Sequence, residues 1–467
     1  MGNASSTAVH DCLLAAVDHN TDLAAFRGDS LFQSHIPLYN LNFPVVPTAI
    51  IFPETSEQVA EVVRCAASNG SKVQAYSGGH SYGNYGLGGN DGAIVVNLKN
   101  MQQFSMDART NIATVGAGTK LGPLQTRLYN AGHRAVAHGS CPQVGIGGHF
   151  TIGGLGAMSR QWGAALDHVV EAEVVLANAT IVTASDTQNQ ELFFAIKGAA
   201  ASFGIVTEFK LRTHPAPPEA VQWSFTLNVG STAEKARLFR DWQDLISANN
   251  LTRKFSTELV LFELGALVSG TFLGSKEEFD DFKLENHFPL LDAGNIVYLT
   301  DWIGMTPSVA YPALSMQSPC LSPREQLIPD TGVDEMLTYI DNTSKGTLAW
   351  FIIFDLEGGA INDVPTNATA YAHRETIMWM QSYAVNPLGS VSETTKSFLD
   401  GLNNVIASTH PRAQFGSYPG YVDPWMDNAQ HAYWGPNLPK LQQIKTAIDP
   451  NDLFHNPQSV PVNPKIT

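Results

Sequence analysis

Two glycine-rich segments constrain this chain more than any other feature of its sequence. The first, YSGGHSYGNYG, covers residues 76–86, and the second, CPQVGIGGHFTIGGLG, covers residues 141–156. Backbone amides in such runs have few side chains in their way, so they can surround an anion without help from positive side chains. Neither segment fits the Walker pattern or the G-x-G-x-x-G dinucleotide pattern. The two segments therefore predict a binding site for an extended, phosphate-bearing ligand.

Residues 79–83, GHSYG, also fit G-x-S-x-G, the turn that carries the nucleophile of many serine hydrolases. That turn must lead directly into a helix. The next segment, NYGLGGNDG, has four glycines in nine residues, and each glycine costs about 1 kcal/mol in a helix. The sequence therefore disfavours Ser81 as a nucleophile. A serine hydrolase stays as an alternative class, which labelling of Ser81 by a fluorophosphonate would identify.

The predicted elements divide the chain into two parts of different character. Between residues 45 and 210, helical periodicity alternates with strand patterns, and HVVEAEVVLANATIVTAS is typical of a hairpin with its turn at ANAT. The three prolines of HPAPPEAV, which starts at residue 214, end this part. From about 220 to 415, strands such as STELVLFEL and LAWFIIFDL alternate with long helices such as TAEKARLFRDWQDLISAN. This second pattern predicts an α+β domain.

Charge and composition exclude several partners. The formal net charge of −16 argues against binding to nucleic acid or another polyanion. No apolar run reaches the roughly 20 residues that span a bilayer, so no membrane partner is expected. The first residues carry no signal-peptide pattern. Because the chain nevertheless has five Asn-x-Ser/Thr sequons, we interpret it as the mature form of a secreted protein; the sequons are at Asn3, Asn178, Asn250, Asn342 and Asn367.

The chain has four cysteines, Cys12, Cys65, Cys141 and Cys320. Cys12 and Cys65 lie in helix-like stretches, and they either form a disulfide in an oxidising compartment or remain two buried thiols. No pair has C-x-x-C spacing, so neither a zinc nor an iron–sulfur site is expected.

With these residues identified, the chain resembles the flavoprotein oxidases of the vanillyl-alcohol oxidase superfamily. The resemblance is to the berberine-bridge-enzyme-like branch, and within it to the fungal glucooligosaccharide and chitooligosaccharide oxidases. It covers both glycine-rich segments. It also covers two later stretches, LFFAIKGAAASFGIVTEF and IDPNDLFHNPQSV. The resemblance implies a two-domain α+β fold that binds FAD. Residues 1–215 would form the FAD-binding domain, to which 422–467 return, and residues 216–421 a substrate domain with an antiparallel sheet covered by helices.

The resemblance also implies bicovalent FAD. His80 would bond to the 8α-methyl group of the flavin and Cys141 to its C6 atom, so His80 rather than Ser81 is the expected reactive residue of the first segment. A thiolate is the nucleophilic form of cysteine, which suits Cys141 to that bond. The other implied cofactor contacts are Ser77, Gly78, Gly79 and Ser81 at the pyrophosphate, Gly147, Gly148, Gly153 and Gly154 along the flavin, Gly204, Ile205 and Val206 towards the adenine, and Asn456 and Gln458 in the tail. The chain departs from the usual R-G-A/G-G of the family at 197–201, where it has KGAAA.

Substrate chemistry is expected at YPGYVDP, which starts at Tyr418. A spacing of three would turn Tyr418 and Tyr421 to opposite faces of a plain strand, but the intervening Pro-Gly breaks that rule. Oxidation of an alcohol by hydride removal requires a base for the hydroxyl proton, and tyrosine, with a pKa of about 10, needs a partner to act as one. The resemblance implies Tyr421 or Tyr418 as that base and Asp355 as its proton relay.

Further contacts with the substrate are expected from aromatic side chains. Tyr82, two residues after His80, is a candidate to touch the substrate beside the flavin. Trp302, Trp350 and Phe351 are candidates in the second domain, because aromatic faces cover the apolar side of a pyranose.

The function implied is oxidation of the anomeric C1 hydroxyl of an oligosaccharide to the 1,5-lactone, with reduction of O2 to H2O2 by a monomeric protein. The alternative within the family is an oxidase of an alkaloid, a terpenoid or another secondary metabolite. A non-catalytic carbohydrate-binding protein, which would hold no flavin, is a third class.

Overall fold

A computed structural model describes residues 2–29, 32, 34, 37–288, 296–300, 315–317, 320–321, 327–347, 349–386, 390–409 and 416–463. Trp302, a candidate sugar contact, lies outside these residues. The α-helices are α1 Gly2–Ala15, α2 Ser56–Ser68, α3 Leu121–Asn130, α4 Ile146–Ile152, α5 Ser159–Trp162, α6 Gln190–Ala199, α7 Thr232–Ser247, α8 Lys276–Phe282, α9 Asp330–Asn342, α10 Glu393–Thr409, α11 Ala429–Trp434 and α12 Leu438–Ile448. Within the described ranges, no helix is both long and apolar enough to cross a bilayer.

In the part of the chain that the structure describes, the strands are distributed over four sheets. Their bounds are β1 Ala24–Phe26, β2 Ala49–Ile51, β3 Val73–Tyr76, β4 Ile94–Asn97, β5 Phe104–Asp107, β6 Ile112–Gly116, β7 Arg134–Ala135, β8 Val169–Val175, β9 Ile181–Ser185, β10 Ile205–Arg212, β11 His214–Pro215, β12 Ala220–Leu227, β13 Phe255–Phe262, β14 Gly265–Phe272, β15 Ile296–Thr300, β16 Ser315–Gln317, β17 Cys320–Leu321, β18 Ala349–Leu356 and β19 Met378–Val385. The predicted hairpin is confirmed as β8 and β9.

The first domain packs two sheets and their helices around one apolar core. The order of the first sheet is β1-β2-β4-β3, with β4 parallel to both β2 and β3. The order of the second is β5-β6-β10-β8-β9, and all its pairs are antiparallel. The helix α2 begins at an N-cap, Thr55, whose side chain accepts the N–H of Gln58, and it buries valines of its apolar face in this core.

The C-terminal segment packs into this same core. Leu441, Phe454 and Val460 belong to the apolar cluster of the first domain. The N–H of Val73 in β3 donates to the carbonyl of Leu453 at 3.0 Å. The fully buried ammonium of Lys445 donates to a carboxylate oxygen of Asp449 and to the backbone carbonyls of Ser202 and Phe454. These bonds hold α12 and the tail against the first domain.

The second domain consists of one antiparallel sheet with helices on one face. Its described strands follow the order β15-β12-β14-β13-β18-β19-β16, and β17 pairs with β19. Successive side chains of a strand point to opposite faces. In β18, Ile352 and Phe354 enter the core that α7, α9 and α10 cover, while Asp355 points to the other face. The expectation of a two-domain α+β fold with an antiparallel sheet covered by helices is confirmed.

A disulfide between Cys12 and Cys65 joins α1 to α2, with a Cα–Cα distance of 5.8 Å. Of the two possibilities that the sequence left open, the structure therefore has the disulfide.

We expect Cys65→Ser to lower the free energy of unfolding by roughly 4 kcal/mol, because the bond closes a loop over a sequence separation of 53 residues and restricts the unfolded chain accordingly. Unfolding in guanidinium chloride would measure this change. The double variant Cys12→Ser/Cys65→Ser should lose the same amount as the single one; a wild-type midpoint in both would contradict the prediction.

Candidate active site

A cavity of about 990 Å³ is lined by the two glycine-rich segments, by the face of the second domain's sheet that helices do not cover and by the C-terminal tail. Residues 77–82 and 138–158 supply one wall, and side chains of β12, β13, β14, β18 and β19 supply the opposite one. The cavity therefore has a ligand-sized volume between a backbone-rich wall and a side-chain-rich wall.

The two glycine-rich segments touch each other directly. A Cβ atom on Gly78 would lie 2.2 Å from the backbone nitrogen of Gly145, and a Cβ atom on Gly145 would lie 2.2 Å from the backbone nitrogen of Gly78. Only glycine allows this approach at both positions. The contact brings the segment that carries His80 beside the segment that carries Cys141, and both residues line the cavity.

Most of the residues expected to bind the cofactor line this cavity. They are Ser77, Gly78, Gly79, His80, Ser81, Cys141, Gly147, Gly148, Gly204, Val206, Asn456 and Gln458. Ile205 does not line it, and its side chain is buried in the core of the first domain. Gly153 and Gly154 lie behind the wall, against the ring and hydroxyl of Tyr418. The hydroxyl oxygen of Ser81 accepts the N–H of Tyr85 at 3.1 Å, so it holds the turn that follows His80.

The cavity wall fits FAD by its chemistry. The hydroxyl of Tyr85 and the Nε2 atom of His138 are buried, line the cavity and have no hydrogen-bond partner. Buried polar atoms are nearly always satisfied, so these two atoms indicate a polar ligand. A Cβ atom on Gly148 would meet open space, which leaves room for a flat ring beside that backbone. The sequence did not single out Tyr85 or His138.

A chain of hydrogen bonds crosses the second-domain wall. The hydroxyls of Tyr82 and Tyr383 are 3.2 Å apart, and that of Tyr383 donates to Oε1 of Gln381 at 2.6 Å. The amide of Gln381 donates in turn to a carboxyl oxygen of Asp355. Two predicted residues, Tyr82 and Asp355, are thus linked through two residues that sequence reasoning missed. The signal was available, because Gln381 and Tyr383 alternate on one face of β19.

Asp355 faces a second acid. Glu258 is its direct partner across β13 and β18, and Oε1 of Glu258 accepts the hydroxyl of Ser269 at 2.8 Å. Burial, followed by the charge of Glu258, raises the pKa of Asp355 to about 7, although the hydrogen bond from Gln381 lowers it. Burial raises the pKa of Glu258 as well. A carboxyl group with such a pKa can take up and release a proton near neutral pH.

Tyr418 and Tyr421 have different surroundings. The hydroxyl oxygen of Tyr418 accepts the N–H of Gly154 at 2.7 Å, so this hydroxyl is bonded to the second glycine-rich segment. The ring of Tyr421 packs edge-on against Tyr418 and stacks on Tyr82, with centroids 6.1 Å apart in the second case. Burial, followed by the charge of Asp355, raises the pKa of Tyr421. Tyr421 is therefore the better candidate for a group that exchanges a proton with Asp355.

The two remaining aromatic candidates are placed differently from each other. Trp350 belongs to the helix-covered core of the second domain, and its Nε1 donates to Glu263 at 2.6 Å. Its proposed contact with sugar was wrong, because the alternation of β18 turns it away from the cavity. Phe351 lies on the other face and stacks against Tyr383, with centroids 4.5 Å apart, so it supports the cavity wall.

Comparison with known proteins agrees with this geometry. Residues 47–185 match the family described as FAD binding domain, and residues 417–461 match the family described as berberine and berberine like. The FAD-linked oxidoreductase sorD of Penicillium rubens is 40% identical over 98% of this chain and 99% of its own length.

Two solved structures are similar over nearly the whole chain. A xylooligosaccharide oxidase from Myceliophthora thermophila in complex with xylobiose is 30% identical, with a TM-score of 0.89 over 98% of this chain and 99% of that one. A glucooligosaccharide oxidase from Acremonium strictum, described with a 6-S-cysteinyl, 8α-N1-histidyl FAD, is 30% identical, with a TM-score of 0.86 over 97% of this chain and 99% of that one.

Fold and cavity together define an FAD-dependent oxidoreductase. The chain belongs to the berberine-bridge-enzyme-like family of FAD-linked oxidoreductases, which includes the fungal oligosaccharide oxidases.

We expect Tyr418→Phe to destabilise the protein by about 1–3 kcal/mol, because it leaves the buried N–H of Gly154 without its acceptor. Thermal unfolding of the flavin-loaded protein would measure this. Tyr421→Phe is the matched control, since it removes a hydroxyl from the same turn without breaking that bond. Equal melting temperatures for the two variants would contradict the distinction.

Proposed function

We propose that the protein oxidises the anomeric C1 hydroxyl of a reducing-end sugar to the 1,5-lactone and reduces O2 to H2O2. The observation that carries this proposal is the polar surface that the second-domain wall presents to the cavity, which we call the polar floor. That floor presents amide, hydroxyl and carboxyl groups from five neighbouring strands, namely those of Gln222, Ser224, Ser256, Glu258, Ser269, Thr271, Asp355 and Gln381. A floor of this kind suits a ligand that carries a hydroxyl group on nearly every carbon.

The cavity also supplies aromatic faces for a pyranose. The rings of Tyr39, Tyr82 and Tyr421 form a stack, which we call the ladder of tyrosines. The ring centroids of Tyr39 and Tyr82 are 5.5 Å apart, and those of Tyr82 and Tyr421 are 6.1 Å apart. Such rings cover the apolar C–H face of a sugar while the polar floor binds its hydroxyls.

Tyr421 and Asp355 act on the proton of the reacting hydroxyl. FAD, when bound, supplies the acceptor for the hydride and is reoxidised by O2. Tyr421 takes the hydroxyl proton as its own passes towards Asp355, whose pKa of about 7 suits it as the final acceptor. Gln381, held by Tyr383, donates to Asp355 and fixes its orientation.

His80 and Cys141 are proposed as the two covalent attachment points of FAD. Both line the same cavity, on the two segments that meet at Gly78 and Gly145. The Acremonium strictum oxidase described above carries its FAD through a histidine and a cysteine, which supports the same linkages here.

The same ladder of tyrosines favours a second candidate function, oxidation of a flat aromatic or polyene secondary metabolite. Such a substrate would stack on Tyr82 and Tyr421 and leave the polar floor largely unused.

We propose in addition that the protein acts outside the cell. The disulfide between Cys12 and Cys65 supports an oxidising compartment. Asn178, the first residue of an Asn-x-Thr sequon, is exposed in the turn between β8 and β9, as a glycosylation site would have to be.

The first test is oxygen uptake by the purified holoprotein with lactose, cellobiose, maltose, xylobiose and chitobiose in turn. We expect rapid uptake with at least one sugar and a decrease in kcat of about 10²- to 10⁴-fold in Tyr421→Phe, because the proton acceptor is lost. Uptake with none of the sugars would refute the sugar assignment and favour the second candidate.

The same assay has a pH signature. Asp355 accepts the proton only when it is ionised, so kcat/KM should rise with pH through about 7 and level off above it. Asp355→Asn should have a lower kcat/KM that does not rise with pH in this range. If the rise through about pH 7 persists in Asp355→Asn, a group other than Asp355 causes it.

The covalent linkages have their own test. We expect flavin to stay with the protein after acid precipitation in His80→Ala and in Cys141→Ala, and to be released only in the double variant. Release from either single variant would show that only one of the two bonds forms.

A further inference from the structure

Glu357 is a buried acid at the end of the strand that carries Asp355. It directly follows the last residue of β18 and comes two positions after Asp355, and both acids line the cavity. It is only 5% exposed, yet its Oε2 atom has no hydrogen-bond partner. A buried carboxyl oxygen without a partner is costly unless something absent from the free protein satisfies it.

The backbone of Glu357 is held firmly, unlike its carboxyl group. Its N–H donates to the carbonyl of Ile377 at 2.8 Å, and its own carbonyl accepts from Nη1 of Arg160 at 2.6 Å. The guanidinium of Arg160 also donates to the carbonyls of Phe255 and Thr252. Arg160 therefore positions the main chain of this turn through backbone carbonyls, and the side chain of Glu357 is not needed for that role.

The charges around Glu357 favour its neutral form. Burial, followed by the charge of Asp355, raises the pKa of Glu357 well above its ordinary value, and Arg160 opposes this only in part. The other titratable groups that Glu357 influences are Tyr418 and Tyr421. A neutral carboxyl group has an O–H that donates a hydrogen bond, as ionised carboxylates cannot, and enzymes use such protonated acids as donors in apolar sites.

We propose that Glu357 is a substrate-binding residue, whose buried and unpartnered carboxyl group forms a hydrogen bond with an oxygen of the sugar unit that is oxidised. This inference rests on the function proposed above and adds a residue to it. The unit concerned is the reacting one, because Glu357 lines the same cavity as Asp355, Tyr418 and Tyr421 and comes two positions after Asp355 in the chain. We therefore expect sugar units further along the chain to contribute little to this hydrogen bond.

The test compares Glu357→Leu with Glu357→Gln in the holoprotein. Glu357→Leu removes the donor and should raise KM about 10- to 100-fold, the range expected when a buried polar group of the substrate is left unpaired. The increase should be the same for the best disaccharide, its monosaccharide and its trisaccharide. Glu357→Gln keeps an N–H donor of nearly the same shape and should recover most of the lost affinity. Glu285→Leu, at an exposed position of the same domain, is the surface control.

Stability separates binding from a structural role. Because the side chain of Glu357 makes no hydrogen bond in the free protein that holds the fold, Glu357→Leu should keep the flavin content and melting temperature of the wild type. Lower values for both, with KM unchanged, would make Glu357 structural and overturn the inference.

The remaining outcomes are distinct. If the wild type oxidises sugar and Glu357→Leu has the KM of the wild type, or loses affinity only for longer chains, the inference fails and the proposed function stands. If the wild type oxidises no sugar, both fail. Should Glu357→Leu not fold, KM against pH decides: it should rise at alkaline pH in the wild type, as Glu357 loses its proton, and stay flat in Glu357→Gln. Identical alkaline profiles would overturn the inference.

Discussion

The backbone contact between Gly78 and Gly145 is the constraint on which the rest of the site depends. Two segments more than 60 residues apart in sequence approach so closely that a Cβ atom at either position would overlap backbone. The hydroxyl of Ser77 secures the approach by donating to the carbonyl of Ala117 at 2.7 Å. One continuous wall of amides results, with His80 and Cys141 at its surface. The opposite wall can then be made of side chains alone, since the first wall needs none to bind phosphate.

The second domain supplies that side-chain wall because its sheet is covered on one face only. Trp242, Phe354 and Leu402 fill the space under the helices, and this core stabilises the sheet without any contribution from the cavity face. The cavity face is thereby free to hold groups that a core would not tolerate. Glu258, Asp355 and Glu357 lie close together there, and Arg160 is the cation whose charge acts on the last of them.

The sequence predicted the first wall better than the second. The glycine-rich segments and the hairpin of β8 and β9 are local patterns, and each is present in the structure, whereas the sequence left open whether Cys12 and Cys65 form the disulfide that the structure has. Gln381, Tyr383 and Glu258 were missed because their proximity to Asp355 depends on the strand order β13-β18-β19. Glu258 and Asp355 are 97 residues apart in sequence and Gln381 and Asp355 are 26 apart, so local patterns do not show these pairings. Trp350 was misplaced for a related reason: an aromatic residue in a strand can face either side, and only the packing of α10 shows which side is the core.

Three neighbouring acids in one cavity cannot all be charged, and this limits what each can do. Each ionisation raises the pKa values of the others, so the first proton to leave makes the next harder to remove. Asp355, with the hydrogen bond from Gln381, is the acid best suited to hold the charge near neutral pH. Glu357, with no such donor and with Asp355 two positions away, keeps its proton. The same repulsion that raises the pKa of Asp355 to about 7 therefore also favours the neutral form of Glu357. In the reaction proposed above, one cluster would thus provide both the group that receives the substrate's proton and the group that binds the substrate's oxygen.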